Sequence, residues 1–281
     1  MALRAAELLT RLLPTTAQYA LADIAGDAWY RFAPRRRRLV AANLARVCGR
    51  RDAALVRRAF REHARYYLEI LRVPRYSTAR IDAHVTVHDW ASFEPLFRAG
   101  PTVIVTAHLG NFEPFGHWLA RHGLRAVAPV EEIRPRALFE FLLARRGGGR
   151  GALEVIPLST ARHRLVSALR ARGCVALVAD RDLERNGTPV RLFGHATTVP
   201  TGPAALAALT GARVITGRSL RLRPDTFEVR GDIVAWQPSG DRRADVAALT
   251  VTIAARLERY IAECPEQWFG AFQQIWPDLP A

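Results

Sequence analysis

Four short apolar runs, each separated from the next by a segment of helical length, constrain this chain more than any other feature. Thr102–Thr106, Ala126–Val130, Glu154–Leu158 and Cys174–Ala179 are five or six residues long and rich in Val, Ile, Leu and Ala. The segments between them, Glu113–Ala120, Pro135–Arg146 and Ala161–Arg172, lose the strand character. Strands alternating with helices need crossover connections, and crossovers of this length build a largely parallel sheet. The spacing therefore predicts an α/β fold with a mostly parallel central sheet flanked by helices. Val85–His88, Val214–Ser219 and Thr226–Val229 add strands, while Trp90–Phe97 and Asp245–Cys264 add helices. No repeat or low-complexity linker divides the chain, so residues 1–281 are expected to form one domain, and 49% apolar residues suffice for a substantial core.

The amino terminus is of another kind. Leu3, Leu8, Leu9, Leu12 and Leu13 recur at near-helical spacing, and after Pro14 a second segment carries Tyr19, Leu21, Ile24, Trp29, Tyr30 and Phe32. Arg35–Arg38 follow without interruption. Amphipathic helices beside an arginine cluster suit the surface of an anionic membrane, because apolar burial and charge attraction add. Residues 1–38 are accordingly expected to associate with a membrane. The competing reading packs the leucines on the core and leaves the arginines in water. No apolar run reaches the ~20 residues that span a bilayer, and no secretory signal is recognisable. A peripheral location on the cytoplasmic face of the inner membrane is the expectation.

The net charge is +15, carried by 41 basic residues that are all arginine. Such a surplus favours anionic partners: lipid headgroups, coenzyme A phosphates, an acidic carrier protein or nucleic acid. The sequence has no zinc spacing, helix-turn-helix signal or RNA-recognition aromatic motif, and its basic residues are scattered, which argues against a nucleic-acid-binding protein. Cys48, Cys174 and Cys264 lie far apart and suggest neither metal site nor disulfide framework. No metal, cofactor or obligate protein partner is predicted.

Chemistry concentrates after the first of the four runs. His108 lies just beyond the strand end at Thr106, and Glu113 follows five residues later at the start of a helix that Asn111 can cap. An imidazole oriented by a carboxylate is the usual device for taking a proton from a hydroxyl near neutral pH. Glu131 follows the second run, Asp180-Arg181-Asp182 follows the fourth, and Arg146 ends the intervening helix before Gly147. In an open α/β sheet the crevice outside the carboxyl ends of strands collects groups from several loops, so these residues are further candidates.

The stretch His108-Leu-Gly-Asn-Phe-Glu113 resembles the H-x4-D/E motif of the lysophospholipid acyltransferase superfamily. Asn43-Leu-Ala-Arg-Val, Arg65-Tyr-Tyr-Leu-Glu69, Ala179-Asp-Arg-Asp-Leu183, Val190-Arg-Leu-Phe-Gly194, Pro200-Thr-Gly-Pro203 and Pro265-Glu-Gln-Trp268 are similar, in that order, to the lipid A acyltransferase branch. Within it, Asp180-Arg-Asp-Leu183 and Ile275-Trp276 look most like phosphatidylinositol mannoside acyltransferases. The resemblance implies fatty acyl transfer from acyl-coenzyme A, a co-substrate, to a mannose hydroxyl of an anionic glycolipid. It also implies that His108 and Glu113 are catalytic and that Glu131, Arg146, Arg181 and Asp182 hold substrate. A lipid A type enzyme using acyl carrier protein is the alternative. The motif acid is Glu113 where many relatives carry Asp, and the carboxyl-terminal segment lacks the basic and aromatic ending of many lipid A enzymes.

The resulting expectation is direct transfer without an acyl-enzyme. His108 removes the proton of the attacking hydroxyl, Glu113 fixes its tautomer, and the backbone amides of Gly110 and Asn111 help stabilise the oxyanion.

Overall fold

The computed structural model describes residues 7, 10–146 and 153–279, the side chains of 145 and 146 excepted. Three helices form the amino-terminal layer: α1 (Thr15–Phe32), α2 (Pro34–Cys48) and α3 (Ala53–Arg72). Each boundary has a local cause. Pro34 sits in the first turn of α2, Gly49 takes the left-handed conformation that ends it, and the Asp52 carboxylate caps α3 by accepting from the Leu55 N–H. Next come α4 (Thr78–His84), β1 (Val85–Val87), α5 (Trp90–Ala99), β2 (Thr102–Thr106), α6 (Glu113–Arg121), β3 (Ala126–Val130), α7 (Arg136–Arg146) and β4 (Leu153–Pro157). The chain continues through α8 (Ala161–Arg170), β5 (Cys174–Val178), β6 (Thr188–Leu192), β7 (His195–Val199), α9 (Gly202–Thr210), β8 (Arg213–Arg223), β9 (Thr226–Val234) and α10 (Arg242–Glu263).

Seven strands form one sheet in the order β1-β9-β8-β2-β5-β3-β4. All neighbours are parallel except β8 and β9, an antiparallel hairpin. Both predicted strands in this hairpin are longer than the sequence suggested, because Arg221 and Arg223 interrupt the apolar pattern while remaining paired to β9. The pair β6–β7 is a separate antiparallel hairpin in a segment that reads as a loop. The β-strand period of 2 decides which side chains go where. Val103 and Val105 face a core shared with Leu165, Leu169 and Ala207, whereas Ile104 faces a second one with Phe97, Trp118 and Leu119.

The position of β2 matters most for function. It lies between β5 and β8, so the loop that leaves it is flanked by strands on both sides. Among the described residues, no helix is long and apolar enough to cross a membrane.

Candidate active site

β2 and β5 run parallel with Thr106 opposite Val178. Two residues beyond each partner, the chain reaches His108 on one strand and Asp180 on the other, so parallel register alone brings these two side chains level. The His108 Nδ1 lies 2.8 Å from Asp180 Oδ1, which also accepts the His108 backbone N–H at 3.0 Å. The second carboxylate oxygen accepts from the indole Nε1 of Trp268 at 2.7 Å. Asp180 and Trp268 are buried, whereas the His108 side chain is 41% exposed. Burial alone would raise the Asp180 pKa; the neighbouring His108 and the hydrogen bonds from His108 and Trp268 outweigh it and hold the carboxyl below its ordinary value. A carboxylate only accepts, so Nδ1 carries a proton, and in the neutral ring Nε2 presents a lone pair.

The partner of Nδ1 is therefore Asp180, where the motif spacing had suggested Glu113. Glu113 opens α6, buried, and its N–H donates to Asn111 Oδ1 at 3.0 Å; the cap position itself is Phe112, so Asn111, expected as the cap, instead holds the first helical N–H from one residue further out. Helical geometry carries the Glu113 side chain to the cavity wall, while the register of adjacent strands sets the Asp180 carboxylate against Nδ1.

The oxyanion role expected of two amides is overturned. The Gly110 N–H donates to Gln267 O at 2.9 Å and the Asn111 N–H to Ser219 O at 2.8 Å. Both are spent in fastening the loop to β8 and to the carboxyl-terminal segment. The fastening explains the glycine: at φ +64° a Cβ on Gly110 would stand 1.9 Å from Ser219 O. On the other side of the loop, the Phe269 N–H donates to His108 O at 2.6 Å. Asn111 is buried and gives its amide to Glu69 Oε2 at 2.8 Å, and Glu69 in turn binds the Arg221 guanidinium.

His108 borders a cavity of about 820 Å³ that Glu113, Glu131, Arg181 and Asp182 also line. Its walls are mainly apolar and reach both faces of the sheet: Ile104, Ala176 and Phe93 on one, Leu165 and Leu206 on the other. Four of the predicted residues thus meet His108 at one cavity, with different engagements. Glu131 and Arg181 form an ion pair across the ends of β3 and β5. Asp182 accepts from the Gly187 N–H at 2.8 Å and the Thr198 hydroxyl at 2.7 Å, holding the β6–β7 hairpin against the site. Arg146 ends α7, and its side chain lies outside the described residues. No group of three or more His, Cys, Asp or Glu suited to a metal occurs among the described residues.

Sequence reasoning missed Asp180 and Trp268 as supports of the imidazole. Asp180 had a usable signal, since it stands at the same offset from its strand as His108 does from β2. Trp268 had none, because its partner is 88 residues away.

A model of the bacterial lipid A biosynthesis acyltransferase family matches residues 3–276. The chain belongs to this family. It is also similar to a phosphatidylinositol mannoside acyltransferase of Mycobacterium tuberculosis (strain CDC 1551 / Oshkosh), with 32% identity over 251 residues, 84% of this chain and 76% of the relative. A protein of the same name from Mycolicibacterium smegmatis (strain ATCC 700084 / mc(2)155) is 32% identical over 248 residues, 84% of this chain and 79% of the relative.

Proposed function

We propose that this acyltransferase moves a fatty acyl chain from acyl-coenzyme A to a mannose hydroxyl of a phosphatidylinositol mannoside, with His108 as general base. The observation that carries the reading is the His108–Asp180 pair on the wall of the apolar cavity. The names of the relatives supply the acceptor class.

Nε2 takes the proton of the acceptor hydroxyl as its oxygen attacks the thioester carbonyl. The tetrahedral intermediate then collapses, the carbon–sulfur bond breaks, and the imidazolium returns the proton to the departing thiolate. Ester and free thiol are the products, and no acyl-enzyme intervenes. Asp180 stabilises the imidazolium and fixes its tautomer, the part an acid plays in a serine-hydrolase triad, with the substrate hydroxyl replacing serine. Trp268 keeps the second oxygen of Asp180 from turning towards another donor. Glu113, Glu131, Arg181 and Asp182 contact the substrates along the cavity wall. Arg146 pairs with a phosphate of donor or acceptor.

The same reading places the enzyme peripherally on the cytoplasmic face of the inner membrane. Support comes from α1, where Tyr19 is buried while Leu21, Ile24 and Phe32 are 47%, 64% and 81% exposed.

The test is acyl transfer from palmitoyl-coenzyme A to a phosphatidylinositol mannoside, with the product identified by mass. Wild type should acylate the mannoside. His108→Ala should lose ~10²–10⁴-fold in kcat, the usual worth of general-base catalysis, and Asp180→Asn a comparable factor. Glu113→Gln should lose less than Asp180→Asn. Donor hydrolysis without transfer, or transfer only from acyl carrier protein, would replace the acceptor or the donor assignment; full activity in His108→Ala would end the mechanism.

A further inference from the structure

One ring on the cavity wall lies outside the mechanism above. His63, on α3, is stacked against Tyr67 with centroids 5.2 Å apart and planes at 7°, and against Phe269 at 4.6 Å and 25°. Phe272 and Trp29 meet it edge-on at 4.4 and 5.3 Å. Aromatic rings on nearly every side make this a place where phenylalanine would pack at no polar cost. The histidine does incur one, because its Nδ1 is sealed from solvent without a hydrogen-bond partner. Buried polar atoms are almost always paired, so an orphan in so apolar a box needs a reason. Burial, with smaller contributions from neighbouring His108 and Arg36, pushes the His63 pKa down to about 3, which leaves the ring neutral near pH 7.

The ring is only half-buried and borders the cavity, so the nitrogen available to a ligand is Nε2. Its neighbour Phe269 donates its backbone N–H to His108 O, which ties the His63 stack to the catalytic loop. A neutral imidazole bound at neither nitrogen by any of the described residues can shift its proton between the two. It therefore offers a hydroxyl either a donor or an acceptor.

We infer that His63 positions the acceptor by hydrogen-bonding, through Nε2, a hydroxyl of the polyhydroxylated headgroup beside the one that reacts. This rests on the glycolipid acceptor proposed above. The fatty chain has no hydroxyl and those of coenzyme A sit on its pantothenate and ribose, so an effect confined to the acceptor KM separates headgroup recognition from donor binding.

The decisive variant is His63→Phe, which keeps the stacked rings and removes both nitrogens. With phosphatidylinositol mannoside as acceptor, its KM should rise ~3–10-fold, the worth of one neutral hydrogen bond, while the KM for palmitoyl-coenzyme A and the pH profile stay as in wild type. Its melting temperature should be unchanged or higher, since no bonded partner is lost. His63→Gln, which retains an amide donor and acceptor, should recover part of the acceptor KM. An unchanged acceptor KM in His63→Phe overturns the inference. So does a parallel rise of both KM values with a lower melting temperature, which would mark a packing role. If wild type acylates no mannoside, the acceptor reading falls and His63 loses its proposed ligand with it; wild-type transfer with an indifferent His63→Phe removes His63 alone.

Discussion

At the scale of single residues, the site runs on differences in surroundings between groups of one kind. Asp180 and Glu113 are both buried carboxylates, yet only Asp180 meets a ring nitrogen of His108, an indole N–H and a backbone N–H together. His108 and His63 both border the cavity, and burial drives the His63 imidazole far below its usual range, from 6.5 to about 3. That depression has a consequence for stability. Below pH 6.5 the unfolded chain takes up a proton at His63 that the native ring refuses, so stability is fully present above 6.5 and declines as pH falls towards 3. Each unit in that window costs about 1.4 kcal/mol. Between pH 7 and pH 5, urea unfolding should show wild type losing roughly 2 kcal/mol more than His63→Phe. Equal losses in the two proteins would mean that His63 is protonated in the native state. Asp180 does not interfere: its depressed pKa makes its contribution disappear only below the ordinary aspartate range.

At the scale of elements, the catalytic loop after β2 is held by partners from three directions. The β8–β9 hairpin supplies Ser219 and Arg221, the carboxyl-terminal segment supplies Gln267, Trp268 and Phe269, and α3 supplies Glu69. Arg221 is the hub of this arrangement. Its guanidinium is buried against Glu69 and Glu62, and these carboxylates raise its pKa against the opposing effect of burial. Glu69 is wholly buried and also accepts from Tyr19 at 2.8 Å, which fastens α1 to the same network. Removing one member of a buried ion pair leaves the other uncompensated. Arg221→Met should therefore destabilise by about 3–5 kcal/mol in chemical denaturation, far more than an exposed arginine would. A loss below 1 kcal/mol would show that Glu69 finds compensation elsewhere. The hairpin and α3 motifs were visible as sequence segments, but nothing in either signalled that they meet at Asn111.

For the whole molecule, the question raised by the proposed glycolipid acceptor is how the cavity meets a membrane. The exposed Leu21, Ile24 and Phe32 of α1 lie on the opposite side of the helix from Tyr19, and Arg35 to Arg38 follow at once. On the membrane reading, the apolar face enters the interface and the arginines meet anionic headgroups. Sedimentation with vesicles containing anionic lipid should show binding that weakens as sodium chloride rises. The double variant Ile24→Glu/Phe32→Glu should reduce partitioning at least ~10-fold, since each buried apolar side chain is worth about 1.5–3 kcal/mol, while acyl transfer in detergent is kept. Binding unaffected by both salt and substitution would remove α1 as the docking surface. Of the leucines that suggested a first amphipathic helix, Leu3, Leu8 and Leu9 lie outside the described residues, and Leu12 is 70% exposed.

What the sequence determined by itself is local. β2 and β3 have the predicted boundaries, β4, β5 and α7 differ by a residue, and His108 follows its strand as expected, because apolar runs, helix periodicity and Pro or Gly stops act over a few residues. Asn111 accepts the first N–H of α6 by the same local logic, although the cap position is Phe112. The hairpin β6–β7 escaped because its strands carry Thr, His and Arg and owe their place to Asp182, which pins both ends of the segment. Tertiary structure decided the rest: that Asp180 meets Nδ1, that Gly110 and Asn111 spend their amides on β8 and the carboxyl-terminal segment, and that His63 joins the wall of the same cavity. Those pairings depend on strand order, register and long-range packing. The free energy of bringing such residues together belongs to the assembled sheet and its layers, and no window of the sequence contains it.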